Sequence, residues 1–377
     1  MKKLSIVGAG NAGVISALHF RKHCPDLEIE LNFAPQKHPI EQVGVGTTYG
    51  VAALISEVLK VNYFKSKIDQ TLKAGNIFRH WGKKNEFILA DFGGAHNVAF
   101  HYDPNKLSYE TCESGLFNVV YRPIEEPEKQ IDADFIIDCR GKKEVNLENR
   151  IPITNPINAA LISSHDVHQF DSEFTSSVAT PNGWTFIIKL KNKISVGYLY
   201  NKDITLREDA EKDFKERFNV HGVELALDID NYYSKNAFVN ERTLLNGNQY
   251  GFIEPLEATA TGLYKYIASS GYDYLFNSKS KEECNDNIKA DGLKLYVGEP
   301  CTSNDECHTN ICDTNGTYHG CQGVCVQPNP IEFPSKYGIL MDKKPKHEDD
   351  ISPEWRDYNC PKDNDIWYTT DWIKLTG

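Results

Sequence analysis

Anion-binding chemistry is the first to be legible, in Gly8-Ala9-Gly10-Asn11-Ala12-Gly13, a G-x-G-x-x-G run that directly follows the apolar stretch Leu4-Ser5-Ile6-Val7. In such a run the first glycine permits a tight turn and the second lets the backbone approach a pyrophosphate. The third allows a helix to pack closely on a strand. The phosphates then meet free N–H groups at the positive end of the helix dipole. Gly8, Gly10, Ala12 and Gly13 are therefore candidate dinucleotide-binding residues. A glycine-rich turn that only packs tightly is the plainer reading, and the strand–turn–helix setting argues against it. An acidic residue is expected about 20 positions on, at the end of the second strand, to hold the ribose hydroxyls. That region reads Leu31-Asn32-Phe33-Ala34, so Asn32 is the neutral substitute and Glu41 a more distant candidate. The motif alone does not separate FAD from NAD.

The elements that must position these groups follow from periodicity. Residues 4–7 read as a buried strand, Val14 to Phe20 as a helix, and Leu27 to Phe33 as a second strand. This is the βαβ opening of a doubly wound, Rossmann-like sheet. Apolar spacing predicts helices over 48–60 and 68–80, the latter ending near Trp81-Gly82. Phe135-Ile136-Ile137 reads as another sheet strand, ending at Asp138-Cys139-Arg140-Gly141. Trp184 to Leu190 and Ile194 to Tyr200 read as strands joined by a Lys-Asn-Lys turn, and Leu206 to Phe218 as a charged surface helix. Beyond about residue 285 the texture turns to Asn, Asp, Cys, Gly and Pro, which places a boundary there.

Composition narrows the class. With 40% hydrophobic and 25% charged residues over 377 positions, the chain holds a real apolar core and is not disordered throughout. The net charge of −12 argues against a general partner among nucleic acids or anionic membranes, which demand a basic face. No stretch approaches the roughly 20 apolar residues of a membrane span. The apolar run behind Met1-Lys2-Lys3 is too short for a secretory signal, so a cytoplasmic location is expected. Of ten cysteines, Cys301, Cys307, Cys312, Cys321 and Cys325 crowd one polar stretch. Their spacing favours a disulfide-stapled loop with Cys284 or Cys360 as sixth partner, ahead of free thiols. Zinc with His308 or His319 is a weaker reading, because no C-x-x-C pair supports it.

Several segments, in order, resemble the flavin-dependent tryptophan halogenase family. Gly44-Val45-Gly46-Thr47-Thr48 is similar to its G-V-G-E-A-T loop, with Thr47 in place of the Glu. Leu72-Lys73-Ala74-Gly75-Asn76-Ile77-Phe78, ending at Trp81, is similar to the segment with its catalytic lysine, taken as a helix. Ala99 to Asp103 resembles A-Y-H-F-D, and Ala133 to Gly141 resembles A-D-x-x-I-D-C-x-G. Gly183 to Ile188 resembles G-W-x-W-x-I-P, with Phe186 for the second Trp and Lys189 for the Pro. Gly247-Asn248 through Phe252-Ile253-Glu254-Pro255-Leu256-Glu257-Ala258-Thr259 resembles G-N-x-x-x-F-x-E-P-L-E-S-T. With the opening glycines, the resemblance covers residues 1 to about 270.

The resemblance implies FAD, used as FADH2 delivered by a separate flavin reductase, together with O2 and a halide ion. Hypohalous acid made beside the flavin then travels to a small electron-rich aromatic substrate. Lys73 is the implied catcher of that oxidant, by hydrogen bond or as a haloamine, and burial favours the second route by lowering a lysine's pKa. Glu257 is the implied carboxylate that stabilises the arenium cation and accepts its proton. From residue type alone, Lys73 reads as a solvated lysine on a helix face; a capping carboxylate is the lesser alternative for Glu257. Thr259 and Ala260 are implied to bind halide at a helix start. Gly46, Thr47, Asp138, Gly141, Asn248, Phe252 and Pro255 are implied cofactor contacts. Trp184 and Phe186 are the implied bulky planes that keep substrate off the flavin, and a core aromatic is the equal alternative for Trp184. No metal is needed.

Two departures matter. Only 17 residues separate Trp81 from Ala99, and the C-terminal region is short and cysteine-rich, so an open site with broad aromatic scope is expected. The fold class expected is α/β: an FAD-binding doubly wound sheet with an inserted antiparallel substrate-side sheet and a small irregular C-terminal region. The core is assigned to residues 1–285, with nucleotide-binding segments 1–80, 130–150 and 240–270 and substrate-side segments 81–130 and 151–239. Residues 286–377 form the C-terminal region with its Cys-rich loop at 301–325. A flavin monooxygenase and a non-catalytic flavoprotein binding module are the alternatives, and assembly into a homo-oligomer is left open.

Overall fold

The computed structural model describes residues 1–34, 43–61, 67–81, 86–89, 99–141, 147–153, 155, 157–165, 173–252, 256 and 260–292, with backbone alone at 86–89 and 291–292. Through the first 140 residues the elements are β1 (Lys3–Val7), α1 (Asn11–His23), β2 (Glu28–Phe33), β3 (Val45–Gly46), α2 (Tyr49–Leu59), β4 (Thr71–Lys73), β5 (Gly75–Arg79), β6 (Glu86–Leu89), β7 (Ala99–Tyr102), α3 (Pro104–Glu113), β8 (Asn118–Tyr121), α4 (Pro127–Gln130) and β9 (Phe135–Asp138). Then come β10 (Arg150–Pro152), β11 (Ala159–His165), β12 (Phe174–Thr180), β13 (Gly183–Lys189), β14 (Ile194–Tyr200), α5 (Arg207–Phe218), β15 (Leu225–Asp228), β16 (Tyr232–Ser234), β17 (Thr243–Leu245), β18 (Gly251–Phe252), α6 (Ala260–Phe276) and α7 (Lys281–Asn287). The described elements fall into two compact units, one from residues 1–71, 100–153 and 230–292 and the other from residues 72–99 and 155–229.

The first unit is built on five parallel strands in the order β17-β9-β1-β2-β8. Parallel strands need crossovers, and α1 supplies the first, between β1 and β2. Ala12 through Phe20 of α1 are all buried, because α6 and α2 pack against it as well as the sheet. A helix apolar on every side is expected in such a central place. On the other sheet face Val7 and Ile136 pack with Ile124 and Ile131, which flank α4. Residues 100–129, grouped by sequence with the substrate side, supply β8 to the parallel sheet. A small antiparallel sheet, β10-β16-β18, also belongs to this unit, and β3, β7 and β4 form a further three-stranded sheet in which β3 and β7 run antiparallel.

The second unit is a seven-stranded sheet, β15-β11-β14-β13-β12-β5-β6, antiparallel except where β12 runs parallel to β5. One face is covered by α5 through Ala210 and Phe214, which pack on Ile187, Val196 and Tyr198. Alternation along β13 therefore turns Trp184, Phe186 and Ile188 to the other face. The α/β class with a Rossmann-like parallel sheet and separate antiparallel sheets matches the sequence expectation. Among the described residues no helix is long and apolar enough to cross a membrane.

The helix expected over 68–80 is a correction. That stretch forms the two strands β4 and β5, and β5 pairs with β12 from Gly75↔Phe174 to Arg79↔Val178. Ala74, Ile77, Phe78 and Trp81, at i, i+3, i+4 and i+7, imitate helical spacing, but Gly75 in mid-run costs a helix about 1 kcal/mol. Left-handed φ values at Asp69 (54°) and His80 (63°) punctuate both ends.

One buried base sets a pH dependence. His19 on α1 is 4% exposed, and neither ring nitrogen has a hydrogen-bond partner. Desolvation, then His23 and Lys265, lower its pKa from 6.5 to about 3. The folded state therefore binds fewer protons than the unfolded chain below pH 6.5, so stability is present above that pH and is lost as pH falls from 6.5 toward 3. Linkage puts the loss at about 2 kcal/mol at pH 5. Urea melts at pH 7 and 5 are expected to show this loss in the wild type and a smaller one in His19→Leu.

Candidate functional site

The site is assembled around the turn between β1 and α1. Gly8 adopts φ 104°, and a Cβ there would lie 2.5 Å from the Cys139 carbonyl oxygen. A Cβ on Gly13 would lie 1.8 Å from the Gly8 carbonyl oxygen. A Cβ on Gly10, the N-cap of α1, would meet nothing within 4 Å. Two glycines are thus required by packing, and the middle one faces open space at a helix N-terminus.

Other segments gather on this turn. The Gly8 N–H donates to the Asn32 carbonyl at 2.9 Å, and the Cys139 N–H to the Val7 carbonyl at 2.8 Å. The Tyr102 hydroxyl donates to Asn11 Oδ1 at 2.7 Å, and the Ser108 hydroxyl to the Ala9 carbonyl. Gly247, at φ 63°, comes so close to α1 that a Cβ there would be 2.6 Å from the Ala12 methyl. Asn246 fixes that turn: it accepts from the Gly247 N–H at 2.7 Å and donates to Ser16 Oγ at 3.0 Å and the Tyr264 carbonyl at 2.9 Å. Gln249 Nε2 donates to the Gly141 carbonyl at 2.7 Å. Thr47 caps the neighbouring strand end, with its N–H and hydroxyl on the Phe100 carbonyl at 2.9 and 3.0 Å. Thr261, in the first turn of α6, donates to the Gly46 carbonyl at 3.3 Å, next to Ala260.

The expected cofactor residues Gly8, Gly10, Ala12, Gly13, Gly46, Thr47, Gly141 and Asn248 thus lie on segments bonded or packed to one another within the first unit. Phe252 pairs with Tyr232 in the small sheet of that unit. Asn32 is placed elsewhere. Its amide nitrogen donates to Ser5 Oγ at 2.9 Å and Glu30 at 3.0 Å, and its oxygen accepts from Arg122 Nε at 2.9 Å. With the side chain 1% exposed, the amide is consumed inside the sheet, which corrects its assignment as a ribose partner. Asp138 is likewise engaged, receiving Arg140 Nε at 2.9 Å and Nη2 at 2.7 Å. Burial, then the Asp138 carboxylate, push the Cys139 thiol well up, so it stays protonated and packs. Cys284 is a free, buried thiol on the Ser270 carbonyl, which corrects its proposed disulfide role. Glu41, Pro255, Glu257, Thr259, Cys360 and the cluster from Cys301 to Cys325 lie outside the described residues.

Lys73 ends β4 in the second unit and is 1% exposed, among the largest fully buried side chains. The reading of a solvated lysine on a helix face is overturned on both counts. Beside it the Ala74 N–H donates to the Glu173 carbonyl at 2.8 Å, and Ala74, Ile77 and Phe174 form a small apolar cluster. Trp81 donates from Nε1 to the Ser177 carbonyl at 3.0 Å. Trp184 is fully buried with Phe186 at 6.3 Å between ring centroids, and the Phe186 ring lies over Gly197, where a Cβ would be 2.2 Å from it. Sequence reasoning missed Tyr102, Ser108, Asn246 and Gln249. Tyr102 sat inside a matched segment; the other three are polar residues whose partners are set only by tertiary contact.

These features define a dinucleotide-binding α/β fold of the flavoprotein type. The tryptophan halogenase family model matches residues 3–106 and 118–285, and the chain belongs to that family. It is similar to the tryptophan 7-halogenases of Kutzneria sp. (strain 744), at 29% identity over 154 residues, and of Lentzea aerocolonigenes, at 25% over 151. Each match covers 37% of this chain and only 28% of the relative's length. Among solved structures, the fold resembles the tryptophan halogenase of Shewanella frigidimarina (TM-score 0.66, 20% identity, 78% of this chain and 76% of that one). It resembles equally a flavin-dependent halogenase of Xanthomonas campestris (TM-score 0.66, 17% identity, with the same coverage of both chains).

The family implies a flavin, and the residues fit it. The open cradle at Gly10 is where a methyl group has no protein neighbour and a pyrophosphate would meet the α1 N–H groups. Gly10→Ala is expected to keep the fold, since φ −72° and ψ −175° suit any residue, and to weaken FAD binding about tenfold. Gly13→Ala is expected to lose about 3 kcal/mol or more of stability by overpacking. Thermal melts together with flavin-fluorescence quenching separate the two effects.

Proposed function

We propose that this chain is a flavin-dependent halogenase that uses FADH2, O2 and a halide ion to halogenate small electron-rich aromatic substrates. The observation that carries the reading is Lys73, buried to 1% in the segment that matches the family's catalytic lysine. Bound reduced flavin supplies, with O2 and halide, an electrophilic halogen species. Gly8, Gly10, Ala12, Gly13, Gly46, Thr47, Gly141 and Asn248, with Phe252 and Pro255, hold the dinucleotide. Lys73 receives the oxidant, donating from its ammonium or presenting a neutral amine. Glu257 stabilises the cationic ring and takes its proton. Thr259 and Ala260 offer N–H groups to the halide. Trp184 and Phe186 form the aromatic face that keeps substrate and flavin apart. The short 82–98 stretch supports a broad substrate scope. Reduction by a separate flavin reductase and a cytoplasmic location complete the proposal.

Mass spectrometry after incubation with FAD, a flavin reductase, NADH, bromide and an activated phenol tests it. A gain of one bromine is expected. A gain of one oxygen would instead establish a monooxygenase, and flavin binding with no turnover a non-catalytic flavoprotein. Lys73→Ala is expected to lose about 100-fold or more of organic halogenation while flavin oxidation continues; an unchanged product yield refutes the role.

A further inference from the structure

α1 ends on a pair of imidazoles. His19 and His23 stand four residues apart within the helix, so both side chains leave the same face, one turn apart. Their ring centroids lie 4.6 Å apart, with 47° between the ring planes. Tyr272 of α6 walls this face, 6.1 Å from the His19 ring and 5.4 Å from the His23 ring. His19 is 4% exposed and neither Nδ1 nor Nε2 has a hydrogen-bond partner, whereas His23 is exposed. Buried polar atoms are normally bonded, so a buried ring with both nitrogens unmet calls for a ligand or a reason to lack one.

We propose that His19 and His23 form a two-histidine site for a borderline divalent cation of the zinc class, with water in the remaining positions. Histidines at i and i+4 on one helix face are a spacing that suits a single zinc ion. Two imidazoles on one tetrahedral ion, with N–metal bonds of ~2.1 Å, hold their centroids about 4.5–5 Å apart, the spacing already present. Ring rotation therefore suffices to turn one nitrogen of each toward the ion. His23, on the exposed side, gives it entry.

The surroundings decide which ion is taken. Lys22, ion-paired with Glu57, and Lys265, whose Nζ would lie 2.9 Å from a Cβ on Gly50, both place positive charge near His19. The nearby Asp273 carboxylate is taken up by Lys279 at 2.8 Å and Asn277 at 2.7 Å. Calcium and magnesium depend on oxygen ligands and find no available carboxylate here. Zinc, nickel and copper favour imidazole nitrogen and are the ions this pair selects. The site lies at the opposite end of α1 from the glycine turn and needs no flavin.

Calorimetric titration of the full chain, freed of metal and with reactive thiols capped, tests it, with circular dichroism as the fold control. The wild type is expected to bind Zn2+. His23→Gln, a change at an exposed position, is expected to lose one ion per chain or to weaken that site about tenfold or more. Ca2+ and Mg2+ are expected to leave the Zn2+ titration of the wild type unchanged when present in excess. Cu2+ on the wild type is expected to give an electron paramagnetic resonance spectrum with two coordinated imidazole nitrogens, one of which is lost in His23→Gln. Equal Zn2+ affinity and stoichiometry in wild type and folded His23→Gln, or no Zn2+ bound by the wild type, overturns the proposal.

Discussion

Between Gly8 and Gly13 the backbone passes so close to itself that a single methyl group would sit 1.8 Å from a carbonyl oxygen. The same turn presses on the Cys139 carbonyl, at the end of the neighbouring parallel strand. This contact fixes where α1 begins relative to the sheet. Once it is made, the first N–H groups of α1 stand at the carboxyl edge of β1, and no side chain blocks them at Gly10. Every other segment of the first unit that matters then takes its position from that point: the Gly247 turn against Ala12, Tyr102 on Asn11, Ser108 on Ala9. None of these contacts is strong alone, since a neutral hydrogen bond contributes about 1 kcal/mol net. They are mutually consistent because the glycine crowding leaves one place for the helix to start.

What could be read from the chain follows the range of the forces that decide it. The β1-α1-β2 opening is written locally, in a short apolar run, three glycines at fixed offsets and a second apolar run, and the structure has those elements with ends shifted by one to three residues. The hairpin of β13 and β14 is equally local. The 68–80 stretch was misleading because Ala74, Ile77, Phe78 and Trp81 satisfy helical spacing, whereas the deciding partner, β12, lies about 100 residues away in sequence. Asn32 fails for a related reason. Its carbonyl meets the glycine turn, but its amide is claimed by Arg122, 90 residues on. Polar side chains are the least legible class, because their partners are chosen by tertiary contact rather than by periodicity.

The second unit follows a simpler rule, that a sheet must cover both faces. On one face α5 sets Phe214 against Ile187, Val196 and Tyr198. On the other, Trp184 and Phe186 project together, and the Phe186 ring occupies the space above Gly197 that any other residue would fill. Phe186, which stands where the family has a second tryptophan, is therefore matched to a glycine on the adjacent strand. The substitution is accommodated by local packing and leaves the aromatic pair intact.

Lys73 differs from these aromatics in what its burial costs. Burying Trp184 removes apolar surface from water and is favourable by itself. A lysine offers no such gain: with a reference pKa near 10.4, neutralising it at pH 7 costs about 4–5 kcal/mol, and leaving it charged demands compensating groups. Either cost is a large part of the roughly 5–15 kcal/mol that holds a domain together. His19 shows the contrast, since an imidazole is already neutral at pH 7 and its burial is charged only in acid. A core can therefore hide a histidine for packing alone, whereas a lysine hidden to 1% exposure needs compensating groups or neutralisation to stay there. That requirement sets Lys73 apart from Trp184 and Phe186, whose positions packing alone explains.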